Sequence, residues 1–396
     1  MNYKRQLKSN IWKYFVFEGL WALVFFFPIY QLFYLARGMN ITQIAFIAIA
    51  FSTVVLLLEV PSGMLADRWG RKKTLFLSQT FLITCNIVVI YAHSVWMFMI
   101  SSAIAGLWWV CYSGTATAFL YDTLKELKRD KEYEKLSGRL YLMTSVASFI
   151  AAFSAGFIFN ISMMLPYILS AVTGFLSLFV IMSFTEPRFH KPAEEQGVFL
   201  HFKSSVTKVI TSEHLVFIVI FSAILSSALD YVFAYAQIYF KHISIPVFMF
   251  GIIFAFGALI EGLGGWSADK IKTRYNYKDI FSASLLSIIL LVFALSYLNN
   301  HLGILIFLAT MFIHGMFRII GRGYINRKVE SHNRATINSI STFGMALLLI
   351  IFEPIAGRIA DIYSIQASFF IMGCILLVYT VYFFITKFDN KRIFDR

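Results

Sequence analysis

The chain has 396 residues, of which 59% are hydrophobic, 18% aromatic and only 14% charged. A soluble domain carries about 25% charged residues, and a soluble interior of this size has no room for so much apolar surface, so the composition excludes an ordinary soluble protein. The net charge of +13 would suit nucleic acid, but the basic residues fall in short clusters between apolar runs, which excludes that partner.

A helix needs about 20 apolar residues to cross a bilayer core. Twelve such runs follow one another, near 11–36, 41–65, 74–93, 95–122, 138–160, 164–185, 214–240, 246–267, 280–298, 302–325, 336–357 and 363–386. Lipid offers no partner to an open backbone, so these runs are predicted helices. The first is too long for the apolar core of a cleavable signal. The three cysteines, Cys85, Cys111 and Cys374, lie far apart inside such runs, with neither metal-ligand spacing nor a disulfide framework. No metal and no cofactor is expected.

The connections alternate in character. Loops near Ala92–Ser94, Asn160–Met163 and Asn299–His301 are short and almost uncharged. The others are basic, including Lys4 to Lys13 at the N-terminus, Arg68 to Lys73, Lys125 to Arg139, Lys270 to Lys278 and Lys387 to Arg396. Outside such clusters stand only Arg37, Lys241, Arg318 and Arg358. Basic loops stay in the cytoplasm, so both termini are expected there, with the chain in the cell membrane. The longest interruption, 186–212, contains Pro187, Pro192 and Gly197 and reads as a cytoplasmic linker. Phe199, Phe202, Val206 and Val209 within it share one helical face, which predicts an interfacial helix. The linker divides the chain into six-helix bundles at 1–185 and 213–396.

Internal repeats agree. Glu59, Gly63, Ala66 and Asp67 close the second run, and Glu261, Gly265, Ala268 and Asp269 close the eighth. A third copy, Glu353, Gly357, Ala360 and Asp361, lies in the eleventh, and a degenerate one, from Ala152 to Asn160, in the fifth. Equivalent elements three helices apart are the mark of transporters built from inverted repeats.

The stretch Gly63-Met64-Leu65-Ala66-Asp67-Arg68-Trp69-Gly70-Arg71-Lys72-Lys73-Thr74-Leu75 resembles the signature loop of the major facilitator superfamily. Leu58 to Gly63, with Ala118 to Leu124, resembles a Gram-positive branch that includes some tetracycline exporters. The resemblance implies an all-α membrane protein of twelve transmembrane helices, in two six-helix bundles with pseudo-two-fold symmetry. It also implies a cytoplasmic latch made by Gly63, Asp67, Arg68, Gly70, Arg71 and Asp122. Two departures weaken the likeness to proton-driven drug exporters. The fourth run carries Ser102 where many of them have an arginine, and the fifth, from Ala151 to Gly156, lacks their proline.

Ionisable groups inside a span are costly and mark function. Glu18 in the first run and Asp230 in the seventh are candidate proton-coupling acids. Glu59, Glu261 and Asp269 are repeat-related candidates for gating or interdomain contacts, with Arg139 expected to pair with Glu261. His314 and Arg318, four residues apart, share a helix face. They join Tyr30, Gln31, Trp108, Trp109, Tyr112, Tyr231, Tyr235 and Gln237 as candidate substrate contacts. An aromatic cavity with one or two acids suits small amphipathic, often cationic, compounds. No P-loop, paired histidines or nucleophile–base spacing is present, which argues against an enzyme and against nucleotide drive. The expected function is therefore export of a small molecule by proton antiport, with alternating access. The partners are substrate, protons and the bilayer, and the chain acts as a monomer. Nutrient uptake or facilitated diffusion is the alternative on the same fold, and a lipid flippase or non-transport membrane protein the alternative of another class.

Overall fold

A computed structural model of the chain describes residues 3–188, 213–328, 334–386 and 388. Every regular element among them is helical: α1 (Tyr3–Ala22), α2 (Tyr30–Ala36), α3 (Ile41–Trp69), α4 (Arg71–Tyr91), α5 (Val95–Glu126), α6 (Tyr133–Ile161), α7 (Leu165–Met182), α8 (Glu213–His242), α9 (Val247–Arg274), α10 (Tyr277–Tyr297), α11 (Leu302–Lys328), α12 (Arg334–Ile362) and α13 (Ile365–Thr386), with one 3₁₀ turn, Asp130–Glu132. Helices α3 to α13 each correspond to one apolar run, whereas α1 and α2 share the first. Most of the linker and its expected interfacial helix lie outside the described residues.

By length and composition alone, 10 of the described helices suit a membrane crossing. Of the other three, α2 has only 7 residues. α1 carries Lys4, Arg5, Lys8, Lys13 and Glu18.

The first crossing is broken, where the sequence predicts a continuous helix. It stops at Ala22 and resumes at Tyr30, with Pro28 in the gap. Backbone groups freed within a membrane need new partners, and hydroxyls from two other helices supply them. The Phe25 amide donates to Ser170 Oγ at 3.0 Å, Thr173 Oγ1 donates to the Leu23 carbonyl at 3.3 Å, and Ser148 Oγ donates to the Ala22 carbonyl at 3.3 Å. The Ile29 amide closes a turn onto the Phe26 carbonyl at 3.0 Å.

The chain forms two compact units. Unit 1 comprises Met1–Met39, Phe46–Glu194 and Val247–Ala255, and unit 2 comprises Asn40–Ala45, Glu195–Pro246 and Phe256–Arg396. Unit 1 is built around an aromatic core of Tyr14, Phe17, Tyr112, Phe119 and Phe184, all buried. In unit 2, Phe221, Phe281, Phe317 and Phe383 form a chain of ring contacts joining α8, α10, α11 and α13. The third motif copy has a specific task in unit 2. Asp361 accepts from the amides of Ile41 (2.9 Å) and Thr42 (2.8 Å) and from the Thr42 hydroxyl (2.6 Å), so it caps the first turn of α3.

Candidate functional site

Three groups of polar residues stand out, two in unit 1 and one in unit 2. The first is the turn between α3 and α4. Gly70 adopts φ 97°, a conformation that favours glycine, and a Cβ there would lie 2.9 Å from Glu186 Oε1. That space is taken because the Glu186 carboxylate accepts the amides of Arg71 (2.6 Å) and Lys72 (2.7 Å), capping α4. Arg71 in turn bridges two acids: its Nη2 lies 2.7 Å from Asp67 and its Nε 3.4 Å from Asp122. The structure thus brings Asp67, Arg71 and Asp122 together, and adds Glu186, which sequence reading assigned to the linker. Arg68, Gly63 and Glu59 are exposed; a Cβ at Gly63 would meet no atom within 4 Å, so no close helix approach uses it among the described residues.

The segment around Glu186 is fixed from several sides. Asn10 pairs with the Thr185 backbone in both directions, at 2.7 and 2.9 Å, and Lys72 Nζ donates to the carbonyls of Met182 and Phe184 at 2.7 and 2.8 Å. Tyr3 donates to Glu126 at 2.8 Å while the other Glu126 oxygen accepts the Arg188 amide at 2.7 Å. Burial, then the hydrogen bond to Glu126, pushes the Tyr3 phenol up to about 12.

The second group surrounds Glu18, near the end of α1. Glu18 is 4% exposed. Its Oε2 accepts the Tyr112 hydroxyl at 2.7 Å, while Oε1 has no hydrogen-bond partner among the described residues. One turn on, Trp21 stacks on Tyr112 with ring centroids 4.1 Å apart and 11° between planes. Trp108 and Trp109 lie 6.1 and 6.5 Å from Trp21. The expected residues Glu18, Trp108, Trp109 and Tyr112 therefore converge. Trp21, which joins them, escaped the sequence reading, although its spacing of three from Glu18 puts the two on one helix face.

The third group is in unit 2. His314 Nε2 lies 3.4 Å from Asp230, and His314 Nδ1 lies 3.4 Å from Glu261, which also pairs with Arg318 at 3.1 Å. Three helices contribute: α8, α9 and α11. Their closeness depends on glycine, since a Cβ at Gly315 would fall 1.9 Å from the Glu261 carbonyl oxygen. No larger residue fits beside His314, and the imidazole is thereby held against the Glu261 carboxylate. The side chains of His314, Glu261 and Asp230 are 21%, 23% and 32% exposed, so the cluster is reachable. Glu353 is buried on α12.

Other expected residues have different surroundings. Glu261 has His314 and Arg318 of α11 as partners, and Arg139 is exposed on α6. Asp269 is exposed. Tyr231, Tyr235 and Gln237 were expected to line a cavity, yet they are packed inside unit 2, at 0%, 3% and 1% exposure. Tyr231 bonds Ser368, and Tyr235 donates to the Glu353 carbonyl at 3.1 Å, so both phenols join α8 to neighbouring helices. Gln31 is buried beside Tyr30, to whose hydroxyl it donates at 3.4 Å.

The sequence profile of the Major Facilitator Superfamily matches residues 14–321. An uncharacterized MFS-type transporter of Bacillus subtilis, YxaM, is 22% identical over 385 residues, covering 93% of this chain and 93% of that protein. The solved nucleoside transporter NupG superposes with a TM-score of 0.75 at 16% identity, over 97% of this chain and 99% of that one. A D-xylose-proton symporter superposes with a TM-score of 0.66 at 13% identity, over 97% of each chain. At such identities the two structures share the fold alone, that of two six-helix bundles. With a transporter relative along almost its whole length and the family profile matched over most of it, the chain belongs to the major facilitator superfamily and is a multi-pass membrane transporter.

Proposed function

We propose that this transporter exports a small amphipathic molecule in exchange for protons, with the Asp230–His314–Glu261 cluster as the coupling site. The observation that carries the reading is one imidazole 3.4 Å from carboxylates on two other membrane helices. A neutral imidazole donates from one nitrogen only, whereas the imidazolium donates from both. Gain or loss of one proton therefore decides whether His314 holds α8 and α9 together or releases one of them. Arg318 keeps Glu261 compensated in either state, so the proton-dependent contact is that of Asp230 with His314. Charge is costly in lipid, and a cluster that changes charge biases the helices that bear it toward one arrangement or another.

In this reading the halves 1–185 and 213–396 rock about a cytoplasmic linker, exposing a midplane site to each side in turn. In the same reading the chain lies in the cell membrane with both termini facing the cytoplasm, which the basic clusters favour. Asp67, Arg71 and Asp122 form part of a cytoplasmic latch.

Proteoliposomes with an imposed pH gradient test the proposal against panels of lipophilic cations, tetracyclines and metabolites. The expected result is accumulation of at least one compound against its gradient, opposite to proton flow, with loss of uphill movement in Asp230→Asn and His314→Gln. Substrate and protons moving in the same direction would replace export with symport, the activity that names the structurally similar xylose transporter. Uphill transport that survives both substitutions would rule out this coupling site.

A further inference from the structure

Unit 1 contains a group of atoms that the proton chemistry of unit 2 does not use. We infer that Glu18, Trp21, Trp108 and Tyr112 form a binding site for a flat aromatic cation, the charged part of the transported molecule. The inference rests on the transport reading above and gives it a substrate class.

The first observation is the buried carboxylate, which has the Tyr112 and Tyr14 hydroxyls beside it and no cation among the described residues. Glu18 is 4% exposed, and its Oε1 has no hydrogen-bond partner among the described residues. A buried acceptor without a partner is costly, so natural structures retain few of them. Its sister oxygen is held by Tyr112 at 2.7 Å, which fixes the carboxylate plane. The neighbouring Tyr14 hydroxyl donates to the Ala116 carbonyl at 2.9 Å. No lysine, arginine or histidine pairs with Glu18 among the described residues.

The second observation is the set of rings. Trp21 and Tyr112 are stacked 4.1 Å apart, with Trp108 and Trp109 at 6.1 and 6.5 Å from Trp21. Aromatic faces attract cations, tryptophan most strongly, and the attraction grows when water is excluded. The indole Nε1 groups of Trp21 and Trp108 are buried donors without partners among the described residues, so the site also offers hydrogen bonds to an acceptor on the ligand.

The third observation is the helix break. Glu18 and Trp21 occupy the last turn of α1, which ends at Ala22. A helix C-terminus carries partial negative charge and favours a cation nearby. In a continuous helix that charge would lie at the membrane surface; here it lies within the crossing, beside the carboxylate. Three independent features, the acid, the rings and the helix end, thus favour the same charge.

A sugar fits this site poorly, because it brings neither a positive charge nor an aromatic face. The site also lies in a different unit from Asp230 and His314, so protons and substrate occupy separate residues and communicate through conformation.

Equilibrium dialysis of the purified full-length transporter with rhodamine 6G tests the inference. Tetraethylammonium serves as a non-aromatic cation and 1-pyrenemethanol as a neutral aromatic. Rhodamine 6G should bind saturably and more tightly than either control. Glu18→Gln should weaken its binding by about tenfold or more, because a hydrogen bond or contact to a charged partner is lost, and leave pyrenemethanol within twofold. Trp21→Phe should retain most of the rhodamine affinity and Trp21→Ala lose it. Equal binding of pyrenemethanol and rhodamine 6G by the unaltered protein would overturn the inference even if no variant folded. Unchanged rhodamine binding by Glu18→Gln would overturn it as well. Normal binding without gradient-driven flux would instead defeat only the proton-coupled export.

Discussion

The hydroxyl of Ser170 accepts the amide of Phe25 at 3.0 Å, in the middle of the gap between α1 and α2, while donating to the Pro166 carbonyl at 2.8 Å. One side chain on α7 thereby satisfies a backbone group that a continuous helix would have satisfied by itself. Ser170→Ala leaves that amide buried without a partner, which costs about 1–3 kcal/mol. Thermal unfolding in detergent should show the loss as a lower apparent Tm, with a larger drop than that of Thr80→Ala, whose hydroxyl bonds to the Phe76 carbonyl of its own helix. Equal stability of Ser170→Ala and the unaltered protein would mean that water or lipid headgroups satisfy the break.

Gly70 and Glu186 make a second pair whose geometry is restrictive. Gly70→Ala places a methyl group 2.9 Å from the Glu186 carboxylate at a backbone φ of 97°. With ψ at 151° the residue occupies a region open essentially to glycine alone, which costs an L-residue about 1–3 kcal/mol. Glu186→Gln keeps the shape of the cap but weakens its charge-assisted bonds to Arg71 and Lys72, so its expected cost is smaller, about 0.5–1 kcal/mol. Thermal unfolding of the two variants should therefore rank Gly70→Ala below Glu186→Gln. The reverse order would show that the carboxylate charge, rather than the backbone conformation, governs this turn.

These two sites also show where sequence stops being informative. The helices α3 to α13 are visible in hydropathy because lipid demands about 20 apolar residues from each crossing. Asp67, Arg71 and Asp122 are legible through the motif, and His314 and Arg318 through their spacing of four. The break after Ala22 is not legible, because its new partners Ser148, Ser170 and Thr173 lie more than a hundred residues away in the chain; Pro28 is its only local sign. Glu186 reads as linker beside Pro187, yet it caps α4. Tyr231 and Tyr235 follow an acid in a span and so resemble cavity residues, but such adjacency is silent on which helix face meets α12 and α13. Trp21 was legible by helical spacing from Glu18, a signal hidden among many aromatic residues.

Arg71 separates Asp67 from Asp122, two acids on different helices, at 2.7 and 3.4 Å. Removing a partner from such a cluster leaves like charges facing one another, a loss of a few kcal/mol when burial is substantial. Arg71→Ala should therefore reduce transport strongly, and Asp67→Asn more mildly because the Asp122 contact survives. Rhodamine 6G affinity should be unchanged in both, since Glu18 is bonded to Tyr112 and the ion pairs of Arg71 are with Asp67 and Asp122. Full transport by Arg71→Ala would limit this motif to setting membrane orientation.

The coupling cluster makes a sharper prediction because two residues are assigned one act. If the proton works through the contact between Asp230 and His314, either single substitution removes that act completely, and the second has nothing left to remove. Residues that function as a unit are non-additive in this way. Uphill transport should fall by a similar factor in Asp230→Asn, in His314→Gln and in the double variant. Downhill exchange of labelled substrate, which needs no coupling, should survive in all three. Glu261→Gln is expected to differ, since Asp230 still holds His314 while Arg318 loses its partner at 3.1 Å. Its uphill transport should be reduced but retain pH dependence. Multiplying losses in the double variant would show that Asp230 and His314 act separately. Glu353, buried on the neighbouring α12, would then be the acid to substitute next.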